Sequence, residues 1–159
     1  MISGSTSKEF QGGEVAAEIR LAQQSDVSAL FDVRTSVREN HISFERLAKM
    51  GVTETSISEM IAASHCAWVA TIGGKVVGFS MIDISDASLF AAFILPSHED
   101  KGLGKKLVLA AEEELFKHHA EIWLETDRDS RAAGFYRHLG WGGEREAEGG
   151  QIRFTKIRP

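Results

Sequence analysis

The residues best suited to chemistry sit in one stretch, Pro96-Ser97-His98-Glu99-Asp100-Lys101-Gly102-Leu103-Gly104-Lys105-Lys106. An all-apolar run, Leu89 to Leu95, stops at Pro96, and an amphipathic helical pattern begins near Gly102. The first N–H groups of a helix have no internal partner and together carry about half a positive charge. Glycines let an anion come close to the backbone. Lys101, Lys105 and Lys106 add full positive charges. This spacing predicts a phosphate or pyrophosphate site. It is not a P-loop, because Glu99 stands where the first glycine belongs and Lys106 where Ser or Thr belongs. A dinucleotide fingerprint starting at Gly102 fails as well, because Leu107 takes the place of its third glycine.

Other chemistries find less support. No group of His, Cys, Asp and Glu has metal-ligand spacing, so no metal is expected. The single Cys66 cannot form an internal disulfide, which fits a reducing, cytoplasmic setting. The formal net charge of −5 argues against nucleic acid, which demands clustered basic residues, and is compatible with a cationic acceptor. No apolar stretch is long enough for a membrane helix, and no apolar segment near Met1 suggests a secretory signal.

The elements that must position the anion site follow from periodicity. A length of 159 residues with 43% hydrophobic and 26% charged residues suits one globular domain. Residues 1–17 are small, polar and aperiodic, so they read as a flexible leader or a vector-derived remnant, and the domain covers 18–159. Residues 18–22 alternate as a strand. A helix then runs to about Val37, capped by Ser25 or Asp26, and residues 38–43 form a loop. A second helix spans about 56–63, capped by Thr53 or Thr55. Residues 67–72 and 76–82 pair as a hairpin across Gly73-Gly74. The run 89–95 reads as a central strand covered on both faces.

Leu103, Leu107, Ala111 and Leu115 recur every four residues as the buried stripe of a helix. A strand at 121–126 precedes a short helix capped by Asp129 and stopped by Gly140. Strands near 141–147 and 151–157 turn at Glu148-Gly149-Gly150. The order β, α, α, β, β, β, α, β, α, β, β specifies an α/β (α+β) mixed sheet flanked by helices.

With these elements in place, the sequence resembles the GNAT acetyltransferase superfamily. In that family a strand ending in an apolar-x-Pro step leads into a Gln/Arg-x-x-Gly-x-Gly/Ala turn. Here the turn is Glu99-Asp100-Lys101-Gly102-Leu103-Gly104. A second family motif, Asn-x-x-Ala-x-x-Phe-Tyr-x-x-x-Gly-Phe, is matched by Asp129-Ser130-Arg131-Ala132-Ala133-Gly134-Phe135-Tyr136-Arg137-His138-Leu139-Gly140-Trp141. The resemblance covers about residues 19–157, including the order of elements. It departs at Glu99, where Gln or Arg is usual, and at Asp100, where glycine is frequent. Both place carboxylates beside the pyrophosphate, and the three nearby lysines are expected to compensate.

The resemblance implies a single-domain fold with a mostly antiparallel sheet. It implies transfer of an acetyl group from acetyl-coenzyme A to a primary amine of a small molecule or peptide by direct attack. Lys101, Gly102, Leu103, Gly104 and Lys105 would hold the pyrophosphate. A backbone amide among Phe93, Ile94 and Leu95 would polarise the thioester carbonyl. Asp129 would border the pantetheine arm. Tyr136, the only tyrosine in the chain, would give a proton to the departing sulfur. An acceptor amine of pKa about 10.4 must lose a proton first, at a cost of roughly 4 kcal/mol near neutral pH. Glu39 and His41 lie in the loop that borders the acceptor site in the family, with Asp83 and Asp86 as further candidate bases and a water relay as the alternative. A non-catalytic coenzyme A-binding or interaction domain is the competing reading, and a homodimer is compatible with either.

Overall fold

The computed structural model describes residues 16–38 and 41–159. The expected leader lies outside them except for Ala16 and Ala17, and Ala17 already belongs to the first strand. The chain runs β1 (Ala17–Leu21), α1 (Val27–Ser36), α2 (Phe44–Lys49), α3 (Glu54–Ala63), β2 (Ala67–Ile72), β3 (Lys75–Asp83) and β4 (Ser88–Ile94). It continues through α4 (Leu103–His118), β5 (Glu121–Asp127), α5 (Arg131–His138), β6 (Gly142–Glu146) and β7 (Gln151–Ile157). The expected mixed sheet with flanking helices is present. Seven strands lie in the order β1-β2-β3-β4-β5-β7-β6, and every neighbouring pair is antiparallel except β4 and β5.

Local chemistry explains most boundaries. Thr53 caps α3, its hydroxyl accepting from the Ser56 N–H at 3.1 Å while the Ser56 hydroxyl accepts from the Thr53 N–H at 2.9 Å. Gly73 and Gly74 both take positive φ in the β2–β3 turn. Asp26 does precede α1, but its carboxylate reaches backward, accepting from the Gln23 N–H at 2.7 Å and pairing with Arg20 at 2.8 Å. Ser130, not Asp129, caps α5, with its hydroxyl accepting from the Ala133 N–H at 3.3 Å. The six-residue helix α2 was not expected. Ser43 caps it, and only Leu47 is buried, which is too little for a periodic signal.

The core lies largely between the sheet and α4. Leu107, Val108, Ala111 and Leu115 are fully buried against Val69, Val77, Ile122 and Phe154. The expected four-residue stripe is therefore the face that anchors α4.

Candidate functional site

The strand β4 departs from the expectation that it is covered on both faces. Ser88 and Leu89 are buried, Phe90 is exposed, and residues 91–95 are half-buried. The cause is a gap in the sheet. β4 and β5 share one register pair, Ser88 with Trp123. Beyond it β4 has no strand neighbour on that side, whereas its pairing with β3 continues to Gly78 and Ile94. The strands thus split, and the open edge of β4 runs toward the start of α4.

Alternation along a strand decides which backbone groups face the gap. The Leu95 N–H donates to Val77 O at 2.8 Å, so Leu95 turns toward β3. Successive residues point their N–H and C=O to opposite sides, so those of Ile94 face the gap. Of the three candidates for a carbonyl donor, only Ile94 presents its amide to the open edge. Phe93 and Leu95 direct theirs to β3. The Phe93 ring lies on one sheet face, 5.8 Å from Phe79 and with the Arg34 guanidinium 4.3 Å from its centroid. Burial lowers the pKa of Arg34 from its ordinary value.

The turn after β4 has the shape an anion site needs. Pro96–His98 form one 3-10 turn. Asp100 takes φ 65° and Gly102, at the N-cap of α4, takes φ 77°. Asp tolerates the left-handed region better than most residues, so the turn keeps its geometry without the glycine frequent there. Leu103 is buried and anchors the helix start, whereas Lys101 and Lys105 are exposed beside it. At Gly104 an added Cβ would sit 3.5 Å from the Phe135 ring and 4.0 Å from Ile94 Cγ1. The end of β4, the first turn of α4 and the Phe135 ring of α5 therefore meet at one point.

A further cation joins the lysines expected to compensate the two acids. Lys106 lines a depression of about 500 Å³ next to β1, with Ile19, Trp68 and Leu109. It is Arg131, the first residue of α5, that meets the two acids: its guanidinium lies 3.5 Å from Glu99 and 3.6 Å from Asp100. Sequence reasoning missed this residue, because the contact spans 32 positions and no local pattern marks it.

The remaining candidates spread out. Tyr136 is 7% exposed, packed edge-on against Phe135 and Trp141 at 5.3 and 6.0 Å and near Phe154 at 6.5 Å. Among the described residues its hydroxyl has no hydrogen-bond partner. Burial first, and the nearby Glu112 carboxylate second, push its pKa well above the usual phenol value. Asp129 is exposed in the β5–α5 turn, its N–H donating to Asp127 Oδ1 at 3.1 Å. Glu39 lies outside the described residues. His41 is exposed, its Nδ1 3.1 Å from Val37 O. Asp83 is occupied in the β3–β4 turn, accepting from the Ser85 hydroxyl and the Asp86 N–H, and the Asp86 carbonyl accepts from the Trp123 indole. No group of three metal-ligating side chains occurs among the described residues, and no described helix is long and apolar enough to cross a membrane.

Known proteins share this fold. The chain is similar over most of its length to the PaiA N-acetyltransferase from Thermoplasma acidophilum, solved in complex with coenzyme A. The TM-score is 0.73 at 18% identity, covering 90% of this chain and 99% of that one. It is also similar to a ribosomal-protein-alanine N-acetyltransferase from Brucella melitensis, with TM-score 0.68 and 17% identity over 89% of this chain and 99% of that one. A third is YncA, a putative acetyltransferase from Salmonella typhimurium solved with acetyl-CoA, at TM-score 0.67 and 17% identity over 89% and 94%. No curated protein sequence matches the chain. The model of the acetyltransferase (GNAT) family matches residues 29–141, well over half of the chain, and the chain belongs to that family.

Proposed function

We propose that the protein transfers an acetyl group from acetyl-coenzyme A to a primary amine of a small molecule or peptide by direct attack. The observation that carries this reading is the split between β4 and β5, which runs to the amino end of α4. A thioester bound there would be open to a neutral amine. The turn from Lys101 to Lys105 offers helix N-terminal N–H groups and two cations to a pyrophosphate. The Ile94 N–H donates to an oxygen that gains negative charge during attack, a contribution of about 10²-fold or more in similar sites. Asp129 accepts a hydrogen bond from the pantetheine arm. Tyr136, kept protonated by its buried setting, gives its proton to the departing sulfur. A water relay removes the amine proton, with Glu39 and His41 as candidate relays on the acceptor side. The unpaired, buried Cys66 supports residence in a reducing cytoplasm.

Calorimetry with acetyl-coenzyme A, followed by thiol release with a panel of amines and peptides, tests the reading. Micromolar binding with turnover on at least one acceptor is expected. Absence of binding at millimolar ligand overturns the cofactor assignment. Binding without thiol release on any acceptor favours the competing reading, a coenzyme A-binding domain without catalysis. Where chemistry limits the rate, Tyr136→Phe is expected to lower turnover by about 10²-fold.

A further inference from the structure

A second polar cluster lies behind Tyr136, buried and unused by the chemistry above. Glu112, on the sheet-facing side of α4, is 6% exposed. Its Oε2 accepts from the Trp141 indole N–H at 3.0 Å, and its Oε1 accepts from Lys156 Nζ at 2.8 Å. Lys156, on β7, also donates to Leu139 O at 2.9 Å, at the end of α5. Trp141 in turn packs edge-on against the Tyr136 ring, and its backbone N–H donates to the Tyr136 backbone carbonyl at 3.1 Å. One carboxylate thus ties together α4, the end of α5 and β7 around a single ring.

Such a pair is an expensive way to fill a core. Burying two charges costs several kcal/mol per ion, and an apolar pair of similar volume often serves stability as well. The pair is therefore a candidate for a role besides stability, and its position identifies the role. We propose that Glu112 is a positioning residue for Tyr136: through Trp141 and Lys156 it fixes the ring and sets the charge around its hydroxyl. This rests on the reading of Tyr136 as proton donor. Among the described residues the charged group acting on Tyr136 is Glu112 on α4, and Glu112 in turn holds Lys156 of β7. Arg137, its neighbour on α5, pairs with Glu144 of β6 at 2.8 Å on the surface. Removing Glu112's charge leaves the Lys156 cation uncompensated, which favours tyrosinate. Removing Lys156's charge acts in the opposite sense.

The chain's single tyrosine allows a direct test. Biosynthetic replacement of tyrosine by 3-fluorotyrosine labels position 136 alone and makes the phenol more acidic. Its ¹⁹F shift is then followed against pH in variants whose folding is checked by circular dichroism. Glu112→Gln, which keeps an oxygen for Trp141, is expected to bring ionisation down by roughly one pH unit. Lys156→Met is expected to move it up, and the double variant to fall between. In kinetics Glu112→Gln lowers kcat about 10-fold with little change in KM for acetyl-coenzyme A. Trp141→Phe, which keeps a ring but loses the N–H, lowers kcat likewise. Should Glu112→Gln fail to fold, Lys156→Met and Trp141→Phe carry the test. Folded variants whose titrations stay put, or move in the same direction, overturn the inference. Full turnover by Tyr136→Phe would instead remove the proton-donor reading, a result the titration does not produce.

Discussion

Arg131 offers the sharpest test of the proposed phosphate turn. Its guanidinium meets Glu99 at 3.5 Å and Asp100 at 3.6 Å, and all three side chains are substantially exposed. Ion pairs of this kind contribute roughly 0–1 kcal/mol to folding. Arg131→Ala should therefore leave the melting temperature within a few degrees of wild type. Coenzyme binding is another matter, because the substitution uncovers two carboxylates beside a pyrophosphate. For unit charges about 8 Å apart at a dielectric near 80, each like-charged pair costs about 0.5 kcal/mol. The guanidinium carries one charge, so its loss leaves one more negative charge acting on two phosphate charges, two such pairs, about 1 kcal/mol or roughly 5-fold in Kd.

Calorimetry at low salt reads this loss directly. It should shrink as ionic strength rises, since exposed charges are screened beyond about 10 Å at 0.1 M salt. The control combines Arg131→Ala with Glu99→Gln, which restores the net charge of the turn. That variant should return Kd to within about 2-fold of wild type, a rescue that a double-mutant cycle resolves. A Kd that stays raised in the charge-restored variant would refute neutralisation and make Arg131 itself the phosphate ligand.

Three further outcomes follow from the geometry. A Cβ at Gly78 would clash with Ile94 Cδ1, lie 2.9 Å from Phe93 O and 3.3 Å from Leu107 Cδ1. Gly78→Ala should cost about 1–3 kcal/mol in urea unfolding, whereas Gly104→Ala, with contacts of 3.5 Å or more, should cost under about 1 kcal/mol and keep coenzyme binding. Gly102→Ala meets open space but must hold φ 77°, so about 1 kcal/mol of strain should appear in stability or in coenzyme affinity. Arg20 first, and the Gln23 N–H, hold the Asp26 carboxyl below the usual carboxylate range against the opposing effect of burial. A depressed folded pKa gives stability that is complete above the unfolded value of about 3.9 and is lost as pH falls through the folded one. Thermal melts should show wild type ahead of Asp26→Asn at pH 7, with the difference closing below about pH 4.

What could be read from the sequence was what local pattern encodes. The Gly73-Gly74 hairpin, the four-residue stripe of α4 and the two motifs each depend on neighbours a few residues apart. Asp129 and Ser130 show the limit of such reading, since both are good caps and only the path of the chain out of β5 selects Ser130. The contacts of Arg131 and the Glu112–Trp141–Lys156 cluster join residues 29 to 44 positions apart. No spacing rule marks them. The apolar run 89–95 misled for a physical reason. A strand beside an open gap can carry the same apolar side chains as one buried in a sheet, and only the missing β5 partner distinguishes them.

That missing partner is made useful by one irregularity. Leu89 pairs with Ile82 and Ala91 with Met81, so Phe90 is an extra residue, a bulge in β4. A shift of one position turns every following side chain and backbone group to the opposite side. With the bulge, the Ile94 amide faces the gap while the Leu95 N–H binds β3. Without it, residues 93 and 95 would face the gap and the amide of Ile94 would be spent inside the sheet. The Ile94 side chain fixes the same register independently, because it packs where Gly78 and Gly104 leave room. Backbone and side chain thus locate one amide relative to the first turn of α4. The separation between the proposed carbonyl donor and the proposed pyrophosphate turn is set by packing in the sheet, independent of the exposed Glu99 and Asp100.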